Sequence, residues 1–253
     1  MDYADVPPPP RLPADGTGAH RPPVGSRALR TSAWRGHDDV ALIVPRPGVA
    51  APTPSEVEAV IDTVARSGVR RLVTGALAPI EQGPFLAVGF EVHDRLHLLR
   101  HDLVDLPAAR PVTARLRRAR RADHDAALVV DARAFDPFWR LDRAGLDDAI
   151  GATSAARFRV ADLARVVGYA VTGRAGDRGY LQRLAVEPEH RGQGLGAALV
   201  LDGLRWLRRR HVATAVVNTQ VANIGALALY RRLGFVPQPT GLTVLTLVVG
   251  DGQ

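Results

Sequence analysis

Apolar positions along this chain fall into strand-length runs alternating with stretches of helical spacing, from about Val40 onward. Val40-Ala41-Leu42-Ile43-Val44 reads as a short buried strand, closed by Pro45 and Pro47. The helix after it carries its own start signals. Thr53 can cap it, Pro54 suits its first position, and Glu56 completes a capping box. Val57, Val60, Ile61 and Val64 then share one face, and Gly68 can end the helix. A strand over residues 69–74 follows, then a helix around residues 84–88, Gly89-Phe90, and a pair of strand-like stretches over residues 91–103.

The second half repeats this order with more parts. Residues 115–119 read as a strand and 122–135 as a helix, followed by strands over 166–172 and 179–186. A glycine-bearing turn then opens a helix that runs through Leu207. It ends in Arg208-Arg209-Arg210, whose charge complements the helix C-terminus. A strand at 213–218, a helix from Asn223 to Leu233 stopped by Gly234, and a β-rich run over 242–249 close the chain. Gly89-Phe90 falls on Gly234-Phe235, and Val44-Pro45 near Val186-Glu187-Pro188, at a spacing of about 145 residues. We read a duplication whose first copy is truncated. Before both copies, residues 1–27 are rich in Pro, Gly and Arg and are expected to form a disordered tail.

Composition narrows the chemistry. The 253 residues are 46% hydrophobic and 23% charged, as in ordinary globular proteins. No run approaches the roughly 18 apolar residues of a membrane span, and the N-terminus has no apolar core of a signal peptide. A cytoplasmic location is the resulting expectation, without a membrane partner. Cysteine is absent, which excludes thiolate nucleophiles, disulfides and zinc–thiolate sites. The eight histidines, His93, His97 and His101 among them, lack a metal-ligand spacing, and no metal is expected. The net charge is +7, carried entirely by Arg with no Lys. These arginines are scattered and aromatics make up only 5%, so nucleic acid is not the expected partner.

The informative segment is Leu184-Ala185-Val186-Glu187-Pro188-Glu189-His190-Arg191-Gly192-Gln193-Gly194-Leu195-Gly196. An apolar strand ends, the chain turns, and glycines lead directly into a helix. Missing Cβ atoms let backbone N–H groups converge on an anion, and the helix N-terminus adds partial positive charge. The result is a pyrophosphate cradle to which Arg191 can add a contact. The same glycines also suit a plain, tight strand-to-helix connection. No Lys-Ser or Lys-Thr follows, which excludes a P-loop, and no acidic residue marks the next strand, which argues against a dinucleotide fold.

Taken with Asn223, Ala226, Leu229-Tyr230 and Leu233-Gly234-Phe235, this segment resembles the GNAT superfamily of N-acetyltransferases. Arg191-Gly192-Gln193-Gly194-Leu195-Gly196 matches that family's acetyl-CoA loop, and Leu116-Arg117 with Asp123 resembles its first strand and turn. The resemblance implies an α/β fold in which helices flank a mixed, mostly antiparallel sheet. It divides the chain into the tail, a degenerate GNAT-like half at 28–108, and an acetyltransferase domain at 109–253.

It also implies roles. Backbone groups of Leu184, Ala185 and Val186 would pair with the pantetheine arm of acetyl-CoA. Arg191, Gly192, Gln193, Gly194, Leu195, Gly196 and Ala197 would form the pyrophosphate loop. Asn223 and Ala226 would contact the cofactor arm, and Tyr230 would protonate the leaving thiolate. Asn218 stands where ribosomal-protein acetyltransferases of the family carry a glutamate base. Asn cannot take a proton, and Gln182 and Tyr180 are not bases near pH 7; Asp177 and Glu187 remain as turn carboxylates, usually solvated. Freeing an amine at pH 7 costs about 4.6 kcal/mol for a lysine and about 1.4 for an α-amine. The expected acceptor is therefore a protein N-terminus or a small-molecule α-amine, attacking the thioester directly. A non-catalytic acetyl-CoA-binding sensor or scaffold is the alternative. Asp136-Pro137-Phe138-Trp139 lies where the family varies its substrate contacts and is expected to shape the acceptor side, with Phe138 and Trp139 equally suited to a core; the Arg115–Arg121 run is expected to be a strand with solvated edges leading into a helix.

Overall fold

Local sequence signals fix the first helix. In the computed structural model, which describes residues 27–249, α1 (Pro54–Ala65) starts on the expected capping box. The Glu56 amide donates to Thr53 Oγ1 at 3.3 Å, and the Thr53 amide donates to Glu56 Oε2 at 2.9 Å. The proposed tail lies outside the described residues, apart from Arg27.

The chain divides into two compact units. One takes the described residues up to His97 and those from Pro239, the other Leu98–Gln238. This division differs from a boundary at 108/109, because the last strand belongs with the first unit.

In the first unit β1 (Leu29–Trp34) and β2 (His37–Pro45) form an antiparallel hairpin, and β2 runs parallel to β3 (Arg71–Thr74) across α1. Val57, Val60 and Val64 of α1 pack with Leu29, Ile43 and Leu72 in one core. The helix α2 (Pro79–Leu86) begins five residues before the expected position, because Pro79 occupies its first turn and Glu81 Oε2 accepts from the Ala78 amide at 2.7 Å. Pro84 therefore lies inside this helix rather than opening it. The expected pair of stretches after Phe90 is a single strand, β4 (Glu91–His101). The hairpin strand β1 is an addition to the sequence reading. The last strand of the chain, β11 (Leu242–Val248), is antiparallel to β3 and to β4, with Thr246 opposite Val73 and Leu242 opposite Leu96.

The second unit opens with β5 (Arg115–Arg118), α3 (His124–Ala134) and α4 (Arg143–Gly151). It continues with β6 (Ala155–Asp162), β7 (Val166–Ala175) and β8 (Arg178–Val186). Then come α5 (Leu195–Arg208), β9 (Thr214–Gln220), α6 (Ile224–Arg232) and the short β10 (Val236–Pro237). Strands β5 to β8 form an antiparallel meander, and β9 adds in parallel to β8. Sequence reading missed α4 and β6. Asp142 caps α4 through a 2.7 Å bond from the Gly145 amide, a signal present in the sequence but followed by few apolar residues. Helices cover both faces of this sheet. Ala127 and Val130 of α3 pack with Tyr169, Val171 and Ala185, while Leu195 and Leu199 of α5 pack with Val167 and Ala170.

Candidate active site

Two irregularities in β8 create the site. Its parallel ladder to β9 covers Arg178–Thr214, Gly179–Ala215 and Tyr180–Val216 and goes no further. Beyond Tyr180 the strands part, and the β9-facing backbone of β8 is left to other partners. On the other side the register against β7 shifts between Val171 and Thr172: Arg183 pairs with Val171 and Leu181 with Thr172. Gln182 is the extra residue of a β-bulge. The bulge breaks strict alternation, so Gln182 and Arg183 both turn toward the α3–α4 face. Gln182 Nε2 lies 3.5 Å from Thr153 Oγ1 after α4, and Arg183 meets Asp131 of α3. Gly173 makes room, since a Cβ there would stand 2.2 Å from Gln182 Nε2.

The glycine turn lies at the far end of β8. A short 3-10 turn, Pro188–His190, leads into Gly192 (φ 75°) and Gly194 (φ 83°), left-handed conformations that favour glycine. Gly194 caps α5. The first amide of the helical ladder is that of Ala198, donating to Gly194 O at 3.0 Å, so the amides of Leu195, Gly196 and Ala197 precede the ladder. Gly196 permits close packing: its Cβ would stand 3.3 Å from Leu229 Cδ2 of α6. Arg191 is tied back to the protein, with Nε donating to Val186 O at 3.4 Å and a terminal nitrogen donating to Ala134 O at 3.1 Å. Gln193 Nε2 donates to Glu189 O at 3.2 Å. These two side chains brace the turn.

On the neighbouring elements, Asn223 caps α6 as expected, accepting from the Ala226 amide at 3.0 Å. Asn218 is exposed. It lies two residues past Val216, the partner of Tyr180, and so shares the face of Tyr180. Tyr230 is 5% exposed, its ring set edge-on to Phe235 at 5.6 Å between centroids. Burial pushes its phenol well above the ordinary tyrosine range, and the nearby Arg183 charge pulls in the opposite direction. Among the described residues no side chain bonds its hydroxyl.

Sequence reading did not anticipate the buried network under this site. Asp131 of α3 is fully buried and accepts four hydrogen bonds. Arg183 gives two, at 2.7 and 2.8 Å, the Tyr169 hydroxyl one at 2.5 Å, and the Leu141 amide one at 2.7 Å. The Arg183 guanidinium also donates to Trp139 O at 2.7 Å and lies 3.5 Å from the Phe135 ring centroid. A usable signal existed: Asp131 sits four residues after Ala127, on the face that helix presents to the core.

Other expectations need correction. Glu187 is no solvated turn carboxylate. Its side chain is fully buried between Arg165 at 2.6 Å and Arg133 at 3.1 Å. The Arg165 hydrogen bond holds its carboxyl below the usual range, which unsuits it as a base. Glu187, Glu189 and His190 bring potential ligand atoms within 4.8 Å of one another, but both arginines already neutralise this cluster. Asp177 is exposed at the β7–β8 hairpin, eight residues and so about 25 Å from Ala185 at the other end of β8. In the arginine run, Arg117 is not solvated: it bridges Asp123 and Asp162, both at 2.7 Å. His101 is a packing residue. Its Nδ1 accepts from the Leu103 amide at 2.8 Å, so Nε2 carries the hydrogen toward Leu233 O at 3.0 Å.

The second unit thus carries a sheet that parts beside a glycine-led helix. Residues 123–235 match the model of the Acetyltransferase (GNAT) family. A mycothiol acetyltransferase of Saccharomonospora viridis is 35% identical over 137 residues, 45% of this chain and 42% of that protein. The ribosomal protein bS18-alanine N-acetyltransferase of Escherichia coli (strain K12) is 35% identical over 78 residues, 31% of this chain and 53% of that protein. The chain thus spans about half the length of these curated relatives. A GCN5-related N-acetyltransferase from Kribbella flavida shares the fold with a TM-score of 0.64 at 19% identity, over 90% of this chain and 89% of that one. A tandem GNAT protein from the clavulanic acid biosynthesis pathway gives 0.63 at 17%, over 89% of this chain and 79% of that one. The α/β GNAT fold with its N-terminal partial repeat is shared with these structures. No helix among the described residues is long and apolar enough to cross a membrane.

Proposed function

We propose that the protein is an acetyl-CoA-dependent N-acetyltransferase acting on a primary α-amine, a protein N-terminus or a small molecule. The observation that carries this reading is the parting of β8 from β9 beside a helix whose leading amides are unbonded within the helix. A linear group with amide hydrogen-bonding capacity fits the open β8 backbone at Leu184, Ala185 and Val186. A pyrophosphate fits the amides from Gly192 to Ala197, with Asn223 and Ala226 lining its arm. When bound, acetyl-CoA supplies an activated acyl group and a thiolate that leaves.

The residues of the chain position and protonate. Backbone N–H of β8 steadies negative charge on the acyl oxygen. Tyr230 keeps its proton through neutral pH because it is buried, and delivers it to the leaving sulfur. Asn218 can orient an amine or a water but cannot take a proton. Asp131 and Glu187 are engaged by arginines. With no strong base, an amine that is already partly neutral is favoured, which selects α-amines over lysine side chains.

The first test is calorimetric titration of acetyl-CoA into the protein and a Gly194→Glu variant. Micromolar binding that the variant loses is the expected result; no binding to the wild type removes the reading. The exposed Asn218 favours a second reading, a sensor or scaffold that binds acetyl-CoA without turnover. Acetyl-CoA binding with no CoA release across an amine panel would select it. Tight, steeply salt-dependent nucleic-acid binding indifferent to acetyl-CoA would instead mark a nucleic-acid module.

A further inference from the structure

The Asp131–Arg183 pair lies one residue before Leu184, and beyond the pull of the Arg183 charge on the Tyr230 phenol it makes a second set of contacts. A buried ion pair is a poor source of stability, since desolvation offsets most of its attraction and apolar replacements often serve as well. Its retention at this position calls for another reason. The geometry supplies one, because the pair binds backbone as well as side chain. Arg183 takes the Trp139 carbonyl and stacks on Phe135, while Asp131 takes the Leu141 amide. Arg140 Nε adds a 3.2 Å bond to Phe135 O. Residues 135–141, all but the last residue of the connection between α3 and α4, are thereby held against β8 at its bulge. Phe138 and Trp139 meet edge-on within this segment at 5.1 Å between centroids. The charges of Asp131 and Arg183 are spent on each other, so the wall they support is aromatic rather than ionic.

We propose that Asp131 and Arg183 are positioning residues for the acceptor: acting through the Trp139 carbonyl, they fix the Phe138–Trp139 wall beside the open part of β8, which then receives an α-amine whose first side chain is apolar. This inference rests on the transferase reading above and names its acceptor class. Tyr169 completes the device by locking the second carboxylate oxygen of Asp131 from β7.

The test uses tetrapeptides beginning with Ala, Phe or Glu as acceptors, with acetyl-CoA binding measured separately by calorimetry. Arg183→Lys keeps the charge but loses the two-pronged contact and the reach to Trp139. Arg183→Met combined with Asp131→Asn removes both charges while leaving polar atoms for Tyr169 and Leu141, so the fold survives even if the single variant is damaged. Both are expected to raise KM for the Ala and Phe peptides about tenfold, with acetyl-CoA affinity within twofold of the wild type. Unchanged KM in either folded variant overturns the proposal whatever happens to kcat, because Arg183 also bears on the Tyr230 phenol. So does a wild type that prefers the Glu peptide, or one that binds acetyl-CoA and acetylates none of the three. Failure of the wild type to bind acetyl-CoA removes the transferase reading itself, and the proposal with it.

Discussion

At the scale of single residues, the site combines one buried phenol with polar groups that cannot accept a proton. Tyr230 has no hydrogen-bonding side chain among the described residues and a strong burial penalty against ionisation. These are the properties of a proton donor held in reserve. Tyr230→Phe is expected to lower kcat about 100-fold, within the range for lost general acid catalysis. Acetyl-CoA affinity should stay within about threefold, because the ring still packs on Phe235. Steady-state kinetics beside calorimetry checks both; equal losses in binding and turnover would reduce Tyr230 to a packing residue. Asn223 was legible in the sequence as the cap of its helix, whereas Tyr230 was singled out only through the family resemblance. The partners of Asp131 were not legible, since Arg183 and Tyr169 lie 52 and 38 residues away from it.

At the scale of elements, α5 is the hinge of the design. It must lie against β7 closely enough for its first turn to face the end of β8. Gly203 gives that closeness: a Cβ there would stand 2.3 Å from Thr172 Oγ1 and 3.2–3.3 Å from Thr172 Cβ and Cγ2, so the Thr172 hydroxyl would have to turn away and the tight contact with its carbons would remain. Gly203→Ala should therefore destabilise by about 1–3 kcal/mol despite the better helix propensity of alanine. A lower urea midpoint at unchanged slope is the expected observation, and a raised midpoint would show that propensity wins. Elements with strong local signals, α1, α5, β7 and β8, were readable from spacing and caps. The weak ones were not. α4 and β6 carry few apolar residues in a periodic order, and their places are set by contacts with α3 and β7.

For the second unit as a whole, several arginines, among them Arg117, Arg157, Arg165 and Arg183, are held in ion pairs with carboxylates. The Arg117 hydrogen bond holds the Asp123 carboxyl at about 2, against about 3.9 in an unfolded chain. Between these values the unfolded state binds the proton and the folded state does not. The stabilisation is thus complete above about pH 4 and is lost as pH falls toward 2, a change of about 2 kcal/mol. The depressed Glu187 adds in the same direction. The thermal midpoint should hold from neutral pH to about 5 and then fall, and Asp123→Asn should flatten that fall. A midpoint that rises on acidification would contradict the paired-carboxylate account. The sequence alone determined the glycine turn and the capped helices, because these rest on contacts between residues near in sequence, while the fold class and the repeat were read through the resemblance of those motifs to a known family and the spacing of like motifs. Only the tertiary structure decided where β8 leaves β9, which strand carries the bulge, and that the final strand joins the first unit. It also decided which carboxylates are neutralised. Strand pairing and burial of charge depend on partners far along the chain, and no local pattern encodes them.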